Sequence, residues 1–307
     1  MFTINNRLKS IYLLSFLLFI FSCKNESSNQ KQGLEEKPTV EVNEILQDHK
    51  DSVYKVKTDT LSSNSNNEDT ITQPKEEIEA PKKVELDSTK QYVYLTFDDG
   101  PFKGSKNINK ILTEENVRGT VFLVGYNAFT KELKQHVEDY KQNPNVDIAN
   151  HTFSHANNKY KHFYSSAEGV YNDILKNETA LDIHTKYVRL PARNVWRVDA
   201  KKKGDILKDA DPAADLLAKN NYYIFGWDYE WSRNIHQLDN PEKIYEGIVH
   251  RLDHNRTFEK NHLVILMHDD MFNTDQNAEK LRQLIVLLKN NPRIVLEGVS
   301  SYPNKVS

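Results

Sequence analysis

The sequence predicts an α/β fold, a distorted (β/α) barrel of about seven parallel strands with outer helices, built from residues 91–307. Short β-branched and aromatic runs alternate there with longer amphipathic runs, the pattern of a parallel sheet wrapped by helices. Every polar cluster of chemical interest follows a strand run and none precedes one. Parallel strands put such ends on one face, the face that carries active sites in a βα barrel.

Residues 1–22 read as a signal peptide. Arg7 and Lys9 precede an apolar run from Ile11 to Phe21, broken only by Ser15 and too short for a comfortable membrane span. Cys23, which follows, is the single cysteine of the 307-residue chain, so no disulfide is expected. Ile20-Phe21-Ser22-Cys23 resembles a bacterial lipobox, although Phe21 fits that pattern loosely. The resemblance implies a lipid on Cys23 and a place on a membrane of the cell envelope. Residues 23–90 are rich in Ser, Asn, Gln, Glu, Lys, Thr and Pro, with Tyr54 as the one aromatic. Such a stretch cannot bury enough surface to offset its ordering entropy, and it reads as a polar, disordered tether. A net charge of −3 argues against nucleic-acid binding, and no protein partner is expected. Lys201-Lys202-Lys203, diluted by Asp199 and Asp205, reads as a solvated loop.

Expected strands cover residues 92–97, 120–124, 146–149, 187–190, 222–227, 262–267 and 293–297, each rich in β-branched or aromatic residues. Expected helices cover 108–115, 131–142, 167–181, 241–252 and 278–289. In the last, Leu281, Leu284, Ile285 and Leu288 share one face and read as core.

Thr96-Phe97-Asp98-Asp99-Gly100-Pro101 ends the first strand with two adjacent carboxylates and a turn. Like charges this close destabilise each other unless a cation or a proton transfer employs them. His151 and His155 stand four apart, which on a helical turn puts both imidazoles within reach of one metal ion. Thr152 excludes the zinc-protease pattern, which needs Glu after the first His. The carboxylate pair can supply both a third ligand and a base.

These segments, with Arg189-Leu190-Pro191, Trp227-Asp228 and Trp231, and Leu266-Met267-His268, resemble the five ordered motifs of the polysaccharide deacetylases, carbohydrate esterase family four. The likeness runs from residue 92 to about 299. It implies Asp98 as the general base and Asp99, His151 and His155 as ligands of a divalent metal, zinc first, with cobalt or nickel acceptable. It implies His268 as the acid that protonates the leaving amine, Arg189 as the holder of Asp98, and Asp228 as the acid that steadies and charges His268. The groove would be formed by Pro191, Ala192, Arg193, Trp227, Trp231 and Leu266, the tryptophans reading equally well as core.

Three features depart from the family. Ala192 and Arg193 follow Pro191 where an aromatic or glycine is usual. Asp228 and Glu230 compete for one role, with Asp228 preferred for following its strand directly. Residues 194–215 are long and charged, reading as a surface insertion ahead of a lip over the groove. His136, His162, His184, His236, His250, His254 and His262 receive no role and are expected at the surface.

The expected activity is removal of acetyl from N-acetylglucosamine units of an envelope polymer, peptidoglycan foremost. The alternatives are an O-acetyl polysaccharide esterase and a catalytically silent carbohydrate-binding lipoprotein. The intact set of Asp98, Asp99, His151, His155 and His268 argues against the silent one.

Overall fold

Strand β1 (Gln91–Asp98) organises the domain, because its alternating side chains face two different cores. Val93, Leu95 and Phe97 pack with the helices, while Tyr92 and Tyr94 join Phe122, Trp196, Phe225 and Tyr302 in a second, interior cluster. That alternation is the two-residue period of a strand buried on both sides. Thr96 and Asp98 continue the interior face, so Asp98 caps a stack of interior side chains. The computed structural model describes residues 86–233 and 237–303. The signal peptide, Cys23, nearly all of the tether and His236 lie outside them.

The remaining strands are β2 (Gly119–Leu123), β3 (Val146–Asn150), β4 (Tyr187–Val188), β5 (Trp196–Val198), β6 (Lys201–Lys203), β7 (Tyr223–Ile224), β8 (Tyr229–Glu230), β9 (His262–His268) and β10 (Ile294–Glu297). The sheet order is β6-β5-β7-β4-β3-β2-β1-β9-β8. β10 pairs with the first half of β1 and β2 with its second half, both parallel. β5 pairs antiparallel with β6 and with β7. The result is the expected α/β barrel in distorted form, a curled sheet with two ends, β6 and β8, among the described residues.

The helices are α1 (Gly104–Glu114), α2 (Lys131–Gln142), α3 (Tyr160–Phe163), α4 (Ala167–Leu181), α5 (Asp211–Lys219), α6 (Pro241–Asp253) and α7 (Asp275–Lys289). Their starts are set by caps legible in the chain. Thr130, Ser166, Asn240 and Thr274 each accept a backbone N–H of the first turn, satisfying a donor that no helix can pair internally. The apolar stripe of α7 is fully buried, as expected.

Four expectations need correction. Residues 194–215 are not a surface insertion: they form β5, β6 and the start of α5, and Trp196 is wholly buried. Trp196 stacks on Phe258 at 4.4 Å between ring centroids, and Lys201 ion-pairs with Glu259. Side chains thus bridge the gap between the two ends of the sheet where no ladder does. Lys201-Lys202-Lys203 is accordingly an exposed edge strand, and its charge protects that edge from pairing with another chain. His136 and His262 are buried, with the hydroxyl of Tyr94 hydrogen-bonded to His262 Nδ1 at 2.8 Å. The domain also begins earlier than residue 91, since Leu86 packs on the interior cluster and Asp87 N donates to the Tyr92 hydroxyl at 2.7 Å.

Candidate active site

Asp98 and Asp99 are neighbours in sequence but point different ways. Asp98 is the last residue of β1 and faces inward, whereas Asp99 has φ of 71°, a left-handed conformation that breaks the strand and re-aims its carboxylate. Asn127 holds that turn by donating to the Asp99 carbonyl at 2.7 Å, and Val124 N donates to the Gly100 carbonyl at 2.7 Å. Both carboxylates are buried, at 3% and 6% exposure.

Arg189 is completely buried beneath them and every edge of its guanidinium is used. Nη1 donates to Asp98 Oδ1 at 2.7 Å and to Thr96 Oγ1 at 2.8 Å; Nη2 and Nε donate to the carbonyls of Gly226 and Phe225. Its Cζ lies 4.2 Å from the centroid of the Phe122 ring. A charge this deep persists only because it is paired and hydrogen-bonded through all three nitrogens. One oxygen of Asp98 is therefore anchored, and the other stands 3.7 Å from His151 Nε2.

His151 follows β3, and its Nδ1 lies 2.8 Å from the Arg189 carbonyl, to which it donates. That bond fixes the tautomer, leaving the Nε2 lone pair toward the carboxylates. Asp99 Oδ1 stands 3.4 Å from His151 Nε2 and 3.1 Å from His155 Nε2. No helical turn brings the two imidazoles together. Thr152 and the run from His155 to Asn158 all have positive φ, and a local network shapes this loop. Asn150 Oδ1 accepts from Thr152 N, Thr152 Oγ1 accepts from His155 N, and Asp173 accepts from both the backbone and hydroxyl of Ser154. Non-glycine residues in this conformation cost about 1–2 kcal/mol each, strain that clusters at functional sites.

Asp99, His151 and His155 each offer a ligand atom within 4.8 Å of the others. Asp99 Oδ1 is buried with no hydrogen-bond partner, and two imidazole nitrogens converge on it. Such a convergence calls for positive charge, supplied either by protons on the imidazoles or by a divalent cation. One carboxylate and two imidazoles are a fitting donor set for such a cation, with positions left for water and substrate. The Asp99 carboxyl is held well below the usual carboxylate range: burial opposes this, but His151 and His155 together outweigh it.

His268 ends β9 directly beside Asp98 in the ladder, so the two side chains leave the sheet on the same face. Burial lowers its pKa, with Asp98 and then Asp99 acting in the opposite direction. Its Nδ1 is buried without a hydrogen-bond partner. Asp228 does not fill that gap. Its two oxygens accept from the backbone N–H groups of Phe258 at 2.6 Å and Val264 at 2.9 Å. The reason is topological: after β7 the chain returns to start β8, so Asp228 lies at the foot of β8, level with Val264 and four residues below His268.

Of the expected groove residues, Trp231 is wholly buried against Phe272 and belongs to the helix-facing core. Leu266 is 4% exposed and aligned with Thr96. Pro191 is buried, its carbonyl accepting from the Tyr164 hydroxyl at 2.7 Å, while Ala192 is exposed with φ of 54°. Arg193 is committed to a two-bond pair with Asp209. Trp227 lines a separate cleft of about 730 Å³ with Lys202, Lys203, Arg251 and Phe258, which contains none of the Asp98, Asp99 and His151 cluster. Glu230 is exposed at the Leu266 level of β8.

One residue at the site had no signal in the sequence. Arg233, three positions past β8, donates from Nη1 to Asp99 Oδ2 at 2.6 Å and grips Asp270 with Nε and Nη2. Its partners are distant in the chain, and a single arginine in a polar stretch carries no pattern.

The family model for polysaccharide deacetylase matches residues 85–197, the stretch that contributes Asp98, Asp99, His151, His155 and Arg189. Within that stretch the chain carries the polysaccharide deacetylase family's signature. Chitin disaccharide deacetylase of Vibrio alginolyticus is 24% identical over 206 residues, 47% of this chain and 48% of that protein. The chain thus spans about half the length of the curated relative it matches. The family 4 carbohydrate esterase of Streptomyces lividans aligns over 70% of this chain and 95% of that one, with TM-score 0.51 and 18% identity. The catalytic domain of a peptidoglycan N-acetylglucosamine deacetylase from Eubacterium rectale aligns over 72% and 94%, with TM-score 0.53 and 18% identity. These two structures establish that the domain shares their fold.

Proposed function

We propose that the domain is a metal-dependent hydrolase that removes the acetyl group from N-acetylglucosamine units of a cell-envelope polysaccharide, with peptidoglycan the favoured polymer. The carrying observation is the convergence of Asp99, His151 and His155 beside an Asp98 anchored by Arg189 through one oxygen. Those three residues would hold the cation, with zinc first and cobalt or nickel acceptable to the same donors. When bound, it would lower the pKa of a water molecule and polarise the acetyl carbonyl.

Asp98 acts as the base. Arg189 fixes Oδ1, and Oδ2 accepts the proton of the attacking water as its oxygen bonds to the acetyl carbon. His268, level with Asp98 on the adjacent strand, hands a proton to the nitrogen as the carbon–nitrogen bond breaks. Acetate and a free amine leave. A lipid on Cys23 and the tether of residues 23–90 would keep the domain near its polymer, a reading that rests on the order of charge, apolar run and cysteine.

One observation favours a second reading. His268 lacks a carboxylate partner on Nδ1 and burial lowers its pKa, so less of it carries the proton it would have to donate at neutral pH. An ester leaving group needs less protonation than an amine, so an O-acetyl polysaccharide esterase fits that detail.

The test is acetate release by the zinc-loaded chain from peptidoglycan, N-acetylglucosamine oligomers, chitin disaccharide and an O-acetylated polysaccharide. The expected result is release from the amides that stops on chelation and returns with metal. Asp98→Asn should lower kcat by about 10²–10⁴-fold, the usual contribution of a positioned base, with metal still bound. Release from esters alone selects the second reading, and release from none rejects both.

A further inference from the structure

The guanidinium of Arg233 is stretched between two carboxylates. Nε lies 3.0 Å from Asp270 Oδ1, Nη2 lies 2.7 Å from Asp270 Oδ2, and Nη1 lies 2.6 Å from Asp99 Oδ2. Asp99 is thereby divided: Oδ1 faces the two imidazoles and Oδ2 faces Arg233. We propose that Arg233 is a positioning residue of the metal site, holding Asp99 so that only Oδ1 is offered to the cation. The inference rests on the metal-dependent reading above.

The physical case has three parts. A free carboxylate can chelate a cation through both oxygens, which would consume a position that water or substrate needs. A guanidinium held in a fork at its far edge cannot swing away from Asp99, because rotation would break the pair with Asp270. Asp270 also balances the charge of Arg233, so the arginine orients Asp99 without adding net repulsion for an incoming cation. Asp270 lies two residues past His268, and Arg233 lies at the upper end of β8, so the clasp ties together the two strands that flank this side of the site. Arg233 is partly exposed, at 39% of its side chain, whereas Asp99 is at 9%, so the arginine lies on the solvent side of the ligand.

The experiment loads the wild-type chain, Arg233→Gln, Arg233→Lys and Asp270→Asn with Co²⁺, measuring its Kd by chelator competition and its visible d–d spectrum. Partners that orient a metal ligand typically contribute about 10–100-fold in affinity, and Arg233→Gln is expected to lose on the order of tenfold with weaker d–d bands as coordination rises. Arg233→Lys keeps the charge without the fork and should recover part of the affinity but not the spectrum. Asp270→Asn, which leaves Arg233 in place but unanchored, should move the spectrum the same way, and it keeps the test open should Arg233→Gln fold poorly. An Arg233→Gln protein binding within about twofold of wild type with an unchanged spectrum overturns the proposal. A wild-type chain that binds no Co²⁺ or Zn²⁺ would instead reject the metal-dependent reading itself.

Discussion

Asp99 and Asp269 each follow the inner part of neighbouring parallel strands, β1 and β9, and are buried to 6% and 1% exposure, yet their chemistry is opposite. The Asp99 carboxyl is held well below its ordinary range despite burial, because two imidazoles address it. Asp269 is pushed up to about 7 by burial, which the Ser105 hydroxyl and the Phe102 backbone N–H only partly counter. Asp228 stands with Asp269: two backbone N–H groups leave it raised to about 6. Burial is shared by all three, so it cannot be what makes a carboxylate useful here. The difference lies in the neighbours: at Asp99 the two imidazoles outweigh burial, whereas at Asp228 and Asp269 the hydrogen-bond donors only partly counter it.

Removing a cation from under its carboxylate is the strongest way to break this contrast. Arg189→Met takes from Asp98 the one fully buried cation that anchors it, leaving a carboxylate without compensation. The expected loss is about 3–5 kcal/mol of stability in urea unfolding at neutral pH, the scale for stranding one member of a buried pair. Adding Asp98→Asn to Arg189→Met should return part of it, since no charge is then stranded. A single-variant loss under about 1 kcal/mol would mean that the pair behaves like a surface ion pair, and the contrast would fail.

Asp269 gives the next effect, with a defined sign. Its folded pKa of about 7 exceeds the ordinary value of 3.8, so its contribution is complete below pH 3.8 and lost as pH rises through 7. The gap corresponds to a swing on the order of 4 kcal/mol. Asp269→Asn carries no such proton, so the variant should gain on wild type as pH rises from about 4 to 7 in paired urea melts. A pH-independent difference between the two proteins would show that Asp269 ionises in the fold as freely as in the unfolded chain. Steric room is not the obstacle to ionisation being felt here. Gly104 packs so closely that an added Cβ would fall 1.8 Å from the Asp269 carbonyl oxygen, which fixes α1 against this residue and keeps water out.

The same contrast explains what could be read from the chain. Strand ends bearing Asp98, Asp99, His151, Arg189 and His268 stand out because polar residues interrupt apolar runs, and parallel topology gathers all such ends on one face. Helices α2 and α4 have the expected limits, since their capping residues Thr130 and Ser166 mark them. The hairpin β5–β6 escaped notice because Arg197 and three lysines break its pattern. In the fold Arg197 is paired with Asp211 and Asp215 of α5, so charge is tolerated beside a buried Trp196. β8 escaped because it has two residues and sits inside a motif read as one strand end. Missing it moved Asp228 to the wrong end of a strand and hid Arg233 at the right one.

The smallest expected effect tests that relocation. If Asp228 charged His268, Asp228→Asn would shift the kinetic pKa of the acid by a unit or more, as loss of a close opposite charge does. Its oxygens instead accept from Phe258 N and Val264 N, so the pH profile of kcat for acetate release should keep its shape and its limbs. What changes is stability. An amide can accept from one of those N–H groups but turns its own donors toward the other, costing about 1–3 kcal/mol near pH 8 for an unmet buried donor. Because the folded pKa of about 6 lies above the ordinary 3.8, wild type gains stability as pH falls from 6 toward 3.8 while the amide does not, so this difference should grow across that window. A moved kinetic pKa with unchanged stability would return Asp228 to His268; the reverse pattern keeps it as a clasp between the foot of β8 and β9, outside the proton path.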